Sequence, residues 1–169
     1  MIIWINGAFG VGKTSVSLEL SNILENSIVY NPENMGLFLR ENLGYKKDDY
    51  QDYELFKKIN YYVIKDLAQH FKNVIVPMTI TNKKIYEMII EKLSKNIKTK
   101  HIILIGNKKT IKNRLDSRID STEWSYKQIE RCIKAFETGI TGNLIDTNDR
   151  SIKEIVEEIL NLLGEENDI

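Results

Sequence analysis

Short apolar runs alternate along the chain with segments whose apolar residues recur at helical spacing. Continuous apolar runs predict buried strands at 1–5, 27–30, 74–76, 101–105 and 144–146. Periodic apolar residues predict helices at 13–24, 33–43, 55–70, 85–93 and 110–119, and capping boxes at Ser125–Gln128 and Ser151–Glu154 predict two more. Strands that alternate with helices predict an α/β domain, in which a parallel sheet is covered on both faces.

The turn between the first strand and the first helix has the pattern G-x-x-x-x-G-K-T. In this pattern glycines let backbone N–H groups approach phosphate oxygens, and the positive end of the following helix points at the same anions. Lys13 would face solvent until it meets the β- and γ-phosphates, and the Thr14 hydroxyl would bind Mg²⁺. ATP and Mg²⁺ are therefore the predicted cofactors. The predicted nucleotide contacts are Gly7, Ala8, Phe9, Gly10, Val11, Gly12, Lys13, Thr14 and Ser15.

A Walker A motif of this kind in an α/β chain predicts a three-layer P-loop NTPase fold. We expect a parallel sheet of about five strands with helices on both faces. The domain should span 1–163, with a small helical lid at about 114–131 and a frayed tail at 164–169.

The composition excludes several classes of protein. Hydrophobic residues make up 42% of the 169 positions and charged residues 28%, as in ordinary globular proteins. The 24 basic and 24 acidic residues balance, which removes any global case for nucleic-acid binding. Apolar runs of about five residues are far shorter than the roughly 20 that span a bilayer. One cysteine, and a first strand that leads straight into the glycine loop, predict a cytoplasmic protein without a signal peptide.

The chain lacks residues that two other classes of P-loop protein need. A GTPase reads guanine with a carboxylate at the last position of Asn-Lys-x-Asp, and the chain has Thr110 there. An ATPase motor would end a strand in an acid, whereas the third strand ends in Val76-Pro77-Met78-Thr79, which contains no acid. Small-molecule kinases need mainly positioning and charge neutralisation, which favours a kinase.

Arginines near the predicted lid support the kinase interpretation. Arg114 and Arg118 lie one turn apart on a predicted helix, and Arg131 follows on the next. Arg118 is predicted to neutralise the transferring phosphoryl group, Arg114 to contact the nucleotide and Arg131 the acceptor. Solvated surface arginines remain the alternative for all three.

Several segments together resemble the bacterial tunicamycin-resistance proteins. The resemblance runs from Met1 to about Ile159 and is densest in the first 80 residues. It rests on 1–14, Tyr30-Asn31-Pro32-Glu33-Asn34-Met35-Gly36, 48–53, Ile75-Val76-Pro77-Met78-Thr79-Ile80 and 128–132. It implies an ATP-binding fold similar to nucleoside monophosphate kinases and chloramphenicol phosphotransferase, and resistance to a uridine-containing antibiotic.

The chain departs from the family pattern at Asn31, where the family has an aspartate. An amide accepts a hydrogen bond but cannot act as a base, so Glu33 is the nearest candidate for a general base, with Asp49 and Asp52 as alternatives. The predicted catalytic residues are therefore Lys13, Arg118 and Glu33. The predicted substrate-binding residues are Asn31, Glu33, Met35, Arg40, Asp49, Gln51 and Arg131.

Together with the resemblance, which implies a nucleoside-like acceptor, these residues predict an ATP-dependent phosphotransferase that acts on a hydroxyl of a small molecule. A protein that sequesters the antibiotic without modifying it and a housekeeping metabolite kinase remain open. Aromatic residues near the acceptor side are expected in the core, with base stacking as the alternative. These are Tyr53, Phe56, Tyr61 and Tyr62. No role is predicted for His70, His101 or Cys132.

Overall fold

The predicted apolar runs form five parallel strands in a single sheet. The computed structural model describes residues 1–46, 49–119 and 121–164, and Lys47, Asp48, Asp120 and the tail from 165 lie outside them. The strands are β1 (Ile2–Gly7), β2 (Ser27–Val29), β3 (Asn73–Pro77), β4 (Thr99–Ile105) and β5 (Asn143–Asp146). Their order is β2-β3-β1-β4-β5, so β1 lies at the centre and delivers the glycine loop to the carboxyl edge of the sheet.

Helices follow the strands as the periodicity predicted. They are α1 (Lys13–Ile23), α2 (Pro32–Leu43), α3 (Glu54–His70), α4 (Lys83–Tyr86), α5 (Lys92–Ser94), α6 (Lys108–Asp116), α7 (Glu123–Lys127), α8 (Ile129–Thr138) and α9 (Ile152–Gly164). A π-helical segment (Glu87–Glu91) joins α4 to α5, and a short 3₁₀ helix (Tyr50–Asp52) lies between α2 and α3. None of the described helices is both long and apolar enough to span a membrane.

Apolar side chains fill both sides of the sheet, which confirms the predicted three-layer architecture. On one side, Val16 and Leu20 of α1 and Ile155 and Ile159 of α9 pack against the strands. On the other side, one cluster joins the sheet to α3 and the 83–94 helical segment, and another joins it to α6 and α8. The fold class is therefore α/β, with β1 and its glycine loop enclosed on both faces.

Polar side chains determine where several helices begin. Asn31 caps α2 by accepting from the Glu33 N–H at 3.0 Å, and Asn107 caps α6 by accepting from the Thr110 N–H at 2.8 Å. The segment that imitates the guanine-reading motif is therefore a helix cap. Ser151 and Glu154 form the predicted reciprocal capping box of α9.

The capping box predicted at Ser125 and Gln128 is wrong. Thr122 is the N-cap of α7 and accepts from the Ser125 N–H at 3.3 Å, so Ser125 lies inside that helix. Two hydroxyl residues three positions apart offer alternative starts, and the extended backbone at Thr122 (φ −114°, ψ 154°) selects the earlier one.

Candidate active site

The glycine loop leaves β1 and enters α1 through backbone conformations that favour glycine. Gly7, Gly10 and Gly12 have φ angles of 143°, 81° and 111°. At Gly7 a Cβ would lie 2.6 Å from the Leu104 carbonyl oxygen, so no larger residue fits there. No side chain caps α1, because Gly12 is its N-cap, and the first N–H groups of the helix stay available to an anion.

Lys13 is held inside this loop before any nucleotide binds. Its Nζ donates to the carbonyl oxygens of Gly7 at 3.1 Å and Ala8 at 2.9 Å, and lies 5.2 Å from the centre of the Phe9 ring. Lys13 is therefore half-buried, and the expectation that it faces solvent is only partly right, because loop carbonyls compete with water for the ammonium. Two of its three donors are used, which leaves one for a phosphate oxygen. Thr14 is exposed at the start of α1.

The electrostatics of Lys13 bring the three predicted catalytic residues together. Burial lowers the pKa of Lys13 to about 8, the Glu33 carboxylate opposes that change, and the Arg118 guanidinium adds to it. Glu33 comes from the start of α2, and Arg118 lies just beyond the end of α6. Both side chains are therefore close enough to Lys13 to act on its charge.

A cavity of about 570 Å³ opens beside the loop, and six residues of the predicted site line it. They are Phe9, Glu33, Arg40, Asp49, Gln51 and Arg118. The volume matches a site for a small molecule, and its walls combine apolar and charged groups. The structure thus brings residues from α2, the 3₁₀ loop and α6 together next to the phosphate loop.

The other predicted residues make contacts of their own around this cavity. Arg114 donates to the Val11 carbonyl at 3.0 Å and to the Thr147 carbonyl at 2.7 Å, tying the glycine loop to the end of β5. Arg131 lies 3.4 Å from Asp49. Met35 packs against the core beneath α2, and Asn31 caps that helix. Ligand contacts by these four residues stay predictions.

Tyr50 forms part of the cavity wall and lies directly on α2. A Cβ at Gly36 would approach three carbons of its ring closer than 3.0 Å, so only glycine lets the ring lie there. The Arg40 guanidinium lies 4.5 Å from the ring centre on α2, and the Phe56 ring lies 6.0 Å away. Phe56 is buried as expected, whereas Tyr62 is 64% exposed and does not belong to the core.

Sequence reasoning missed a buried polar network beneath the loop. The Asn6 Oδ1 accepts from the N–H groups of Gly7 and Ile80, and its Nδ2 donates to the Ile80 carbonyl and contacts His101 Nε2 at 3.1 Å. His101 Nδ1 donates to the Thr141 carbonyl, which leaves Nε2 as the acceptor from Asn6. Burial lowers the pKa of His101 to about 4, consistent with a neutral ring. A lone amide that ends an apolar strand was the only available signal.

Trp124 was also missed. It lies on α7 within the predicted lid, lines the cavity, and meets the Phe9 ring edge to face with ring centres 5.0 Å apart. This contact joins the predicted lid to the glycine loop. Asp120, inside the predicted lid, lies outside the described residues, and closure of the lid stays a prediction.

The whole chain is similar in fold to a solved structure of a resistance protein. The tunicamycin resistance protein of Deinococcus radiodurans superposes with a TM-score of 0.81 at 25% identity, over 96% of this chain and 95% of that one. The resemblance to tunicamycin-resistance proteins is confirmed. No protein-family model matches the chain, and no curated protein matches it.

Small-molecule kinases share the same fold at lower identity. A gluconokinase of Sinorhizobium meliloti has a TM-score of 0.68 at 16% identity, covering 96% of this chain and 91% of that one. A shikimate kinase of Bacteroides thetaiotaomicron has a TM-score of 0.66 at 15% identity, covering 96% and 98%. The predicted P-loop fold is therefore confirmed, and it is the fold of known kinases.

Proposed function

We propose that this chain is a phosphotransferase that moves the γ-phosphoryl group of ATP to a hydroxyl of a small nucleoside-like molecule. Resistance to tunicamycin is the role that this activity would serve. The similar Deinococcus protein is a tunicamycin resistance protein, and proteins of the same fold are gluconate and shikimate kinases. A cytoplasmic location remains a prediction from the sequence.

One observation carries the proposal: two charged residues of the cavity wall, Glu33 and Arg118, lie close enough to Lys13 of the phosphate loop to act on its charge. Glu33 and Arg118 line the cavity, and both act on the pKa of Lys13. A phosphoryl group that leaves the loop toward the cavity would pass among two cations and a carboxylate. Phosphoryl transfer needs such charges in place, because negative charge is spread over the transferring oxygens.

The loop residues fit a magnesium nucleotide. Uncapped N–H groups at the start of α1, the remaining donor of Lys13 and the exposed Thr14 hydroxyl are the groups that polyphosphate and Mg²⁺ would use. No cluster of three or more acidic, histidine or cysteine side chains forms a metal site within the described ranges. Thr14, together with phosphate oxygens and water, would therefore hold the ion.

Each charged residue has a distinct part in the proposed reaction, in which ATP supplies the phosphoryl group. Lys13 would hold the β- and γ-phosphates, and Arg118 would neutralise the equatorial oxygens as the acceptor oxygen approaches phosphorus. Glu33 would accept a hydrogen bond from the acceptor hydroxyl and take its proton as the new O–P bond forms. The bond between the γ-phosphorus and the β,γ-bridging oxygen would break at the same time and release ADP. Asp49 suits the role of proton acceptor less well, because its two oxygens already accept from the Gln51 N–H and Arg131.

A second candidate is a nucleotide-dependent protein that sequesters the antibiotic without modifying it. The amide of Asn31 favours it, because Asn31 stands where the resembling family has a carboxylate and its oxygen is engaged as a helix cap. The cavity would then bind the same molecule with no proton acceptor at that position.

Mass spectrometry of candidate acceptors incubated with protein and MgATP separates these functions. Tunicamycin and uridine are the first substrates to test, with the Lys13→Ala variant as the control. We expect one phosphate to be added by the parent and none by the variant. Tight binding of tunicamycin in calorimetry without any gain in mass would refute the kinase and support sequestration. If tunicamycin neither binds nor reacts, a metabolite kinase becomes the favoured function.

A further inference from the structure

Thr79 touches both halves of the proposed site. It follows β3, near the position where an ATPase motor carries an acid, and the residue is 2% exposed. Its Oγ1 donates to the Gly7 carbonyl of the phosphate loop at 2.7 Å. Its own carbonyl accepts from the Gln51 Nε2 in the cavity wall at 2.8 Å. One residue therefore connects the first glycine of the loop to a polar side chain of the acceptor cavity.

The backbone on either side of Thr79 is held in place by buried groups. Trp4 Nε1 donates to the Met78 carbonyl at 3.1 Å, and the Asn6 amide bonds to both backbone groups of Ile80 at 2.9 Å. The segment 78–80 is thus a firm support and not a slack loop. Thr79 therefore links the Gly7 carbonyl to Gln51 through its hydroxyl and its own carbonyl, while Asn6 links the Gly7 N–H to Ile80 separately.

The Gly7 carbonyl is the point at which a nucleotide would act on this connection. That oxygen accepts from Lys13 Nζ at 3.1 Å as well as from the Thr79 hydroxyl. A phosphate that draws the ammonium outward weakens the first of these bonds, and the hydroxyl then becomes the principal donor to Gly7. Nucleotide binding would therefore change the hydrogen bond between the Thr79 hydroxyl and the Gly7 carbonyl.

The Gln51 side chain is placed to respond to a change at Thr79. Its Nε2 is engaged by the Thr79 carbonyl, and within the described ranges its Oε1 has no hydrogen-bond partner, although the side chain lines the cavity. The amide thus offers a neutral acceptor to an N–H or O–H group of a bound molecule. Its direction depends on the bond to Thr79.

We propose that Thr79 is a positioning residue that couples nucleotide binding at the phosphate loop to the orientation of the Gln51 amide in the cavity. The proposal rests on the nucleotide-binding part of the proposed function. Loading the loop orients Gln51 for an acceptor that carries a neutral N–H or O–H donor. Since coupling is reciprocal, such an acceptor tightens nucleotide binding by the same factor.

The test follows the side-chain amide resonances of Gln51 by NMR as the Mg²⁺ complex of AMP-PNP is added, without any acceptor. Calorimetry first establishes AMP-PNP binding. We expect the Gln51 amide to shift in the parent and in Thr79→Ser, which keeps the hydroxyl, and to stay unmoved in Thr79→Val, which removes it. The Asn6 amide is an internal control that should shift in all three, because its oxygen accepts directly from the Gly7 N–H.

Each other outcome overturns the proposal. A Gln51 amide that does not shift in the parent at saturation, or shifts equally in Thr79→Val, shows that Thr79 carries no coupling, while the proposed kinase function stands. Absence of AMP-PNP binding overturns both. If Thr79→Val does not fold, Thr79→Ala replaces it, because this variant also lacks the hydroxyl. In either variant Lys13 Nζ still donates to the Gly7 carbonyl, so that oxygen keeps a hydrogen-bond donor.

Discussion

Substitution of Gly36 by alanine tests whether the Tyr50 ring lies where the structure places it. Gly36 is in the interior of α2, where alanine ordinarily stabilises a helix by about 1 kcal/mol. Here the new Cβ would overlap three carbons of the Tyr50 ring. The ring would have to leave its contacts with Arg40 and Phe56, and overpacking of this kind costs about 1–3 kcal/mol. We therefore expect a net loss of about 1 kcal/mol.

A double-mutant cycle isolates the cause. In a Tyr50→Ala background the overlap is gone, and the same Gly36→Ala change should raise the free energy of unfolding by about 1 kcal/mol. The sign of the effect thus reverses, with a coupling energy of about 2 kcal/mol. Urea denaturation followed by circular dichroism measures all four proteins. Stabilisation by Gly36→Ala in both backgrounds would refute the placement of Tyr50 and, with it, this wall of the cavity.

Four further predictions concern single side chains. Lys13→Ala should weaken ATP binding about a hundredfold in calorimetry without unfolding the protein. In the parent, ATP binding should weaken above about pH 8, because Lys13 loses its proton there. Glu33→Gln should slow single-turnover transfer by about 10²–10⁴, and a rate within about threefold of the parent would exclude a base there. Ser17→Ala should raise the free energy of unfolding by about 1 kcal/mol, since the buried Ser17 hydroxyl has no hydrogen-bond partner among the residues that the structure describes; a loss of stability would contradict this. The pKa of His101 is about 4 in the folded protein and 6.5 in the unfolded chain, so the neutral ring stabilises the fold fully above pH 6.5. The free energy of unfolding should fall by about 3 kcal/mol as the pH is lowered toward 4. An equal loss of stability in acid in His101→Gln would refute the assignment.

The strands and the phosphate loop could be predicted because their signals are local. A buried parallel strand needs a continuous apolar run, and β1, β3 and β4 each contain one. The glycine pattern of the loop is equally local, since it reflects backbone conformations at Gly7 and Gly12. Helix ends were less certain, as at Thr122, where two hydroxyl residues compete for the cap.

The contacts that assemble the site could not be predicted, because they join residues distant in the sequence. Asn6 and Ile80 are 74 positions apart, and Thr79 meets Gly7 across 72. No periodicity records such pairs. Arg114 shows that a site residue can be predicted while its actual hydrogen-bond partners cannot. Its position near the lid suggested a nucleotide contact, and only the structure shows its bonds to the Val11 and Thr147 carbonyls.

The edge-to-face contact between Trp124 and Phe9 has a practical consequence for spectroscopy. The chain has two tryptophans, and Trp4 is completely enclosed in the core, away from any solvent change at the cavity. Trp124 borders the cavity and touches the phosphate loop. Intrinsic fluorescence therefore separates into a constant emission from Trp4 and a variable one from Trp124. Trp124 fluorescence can therefore report ligand binding without an added label, and the Trp124→Phe variant is the control.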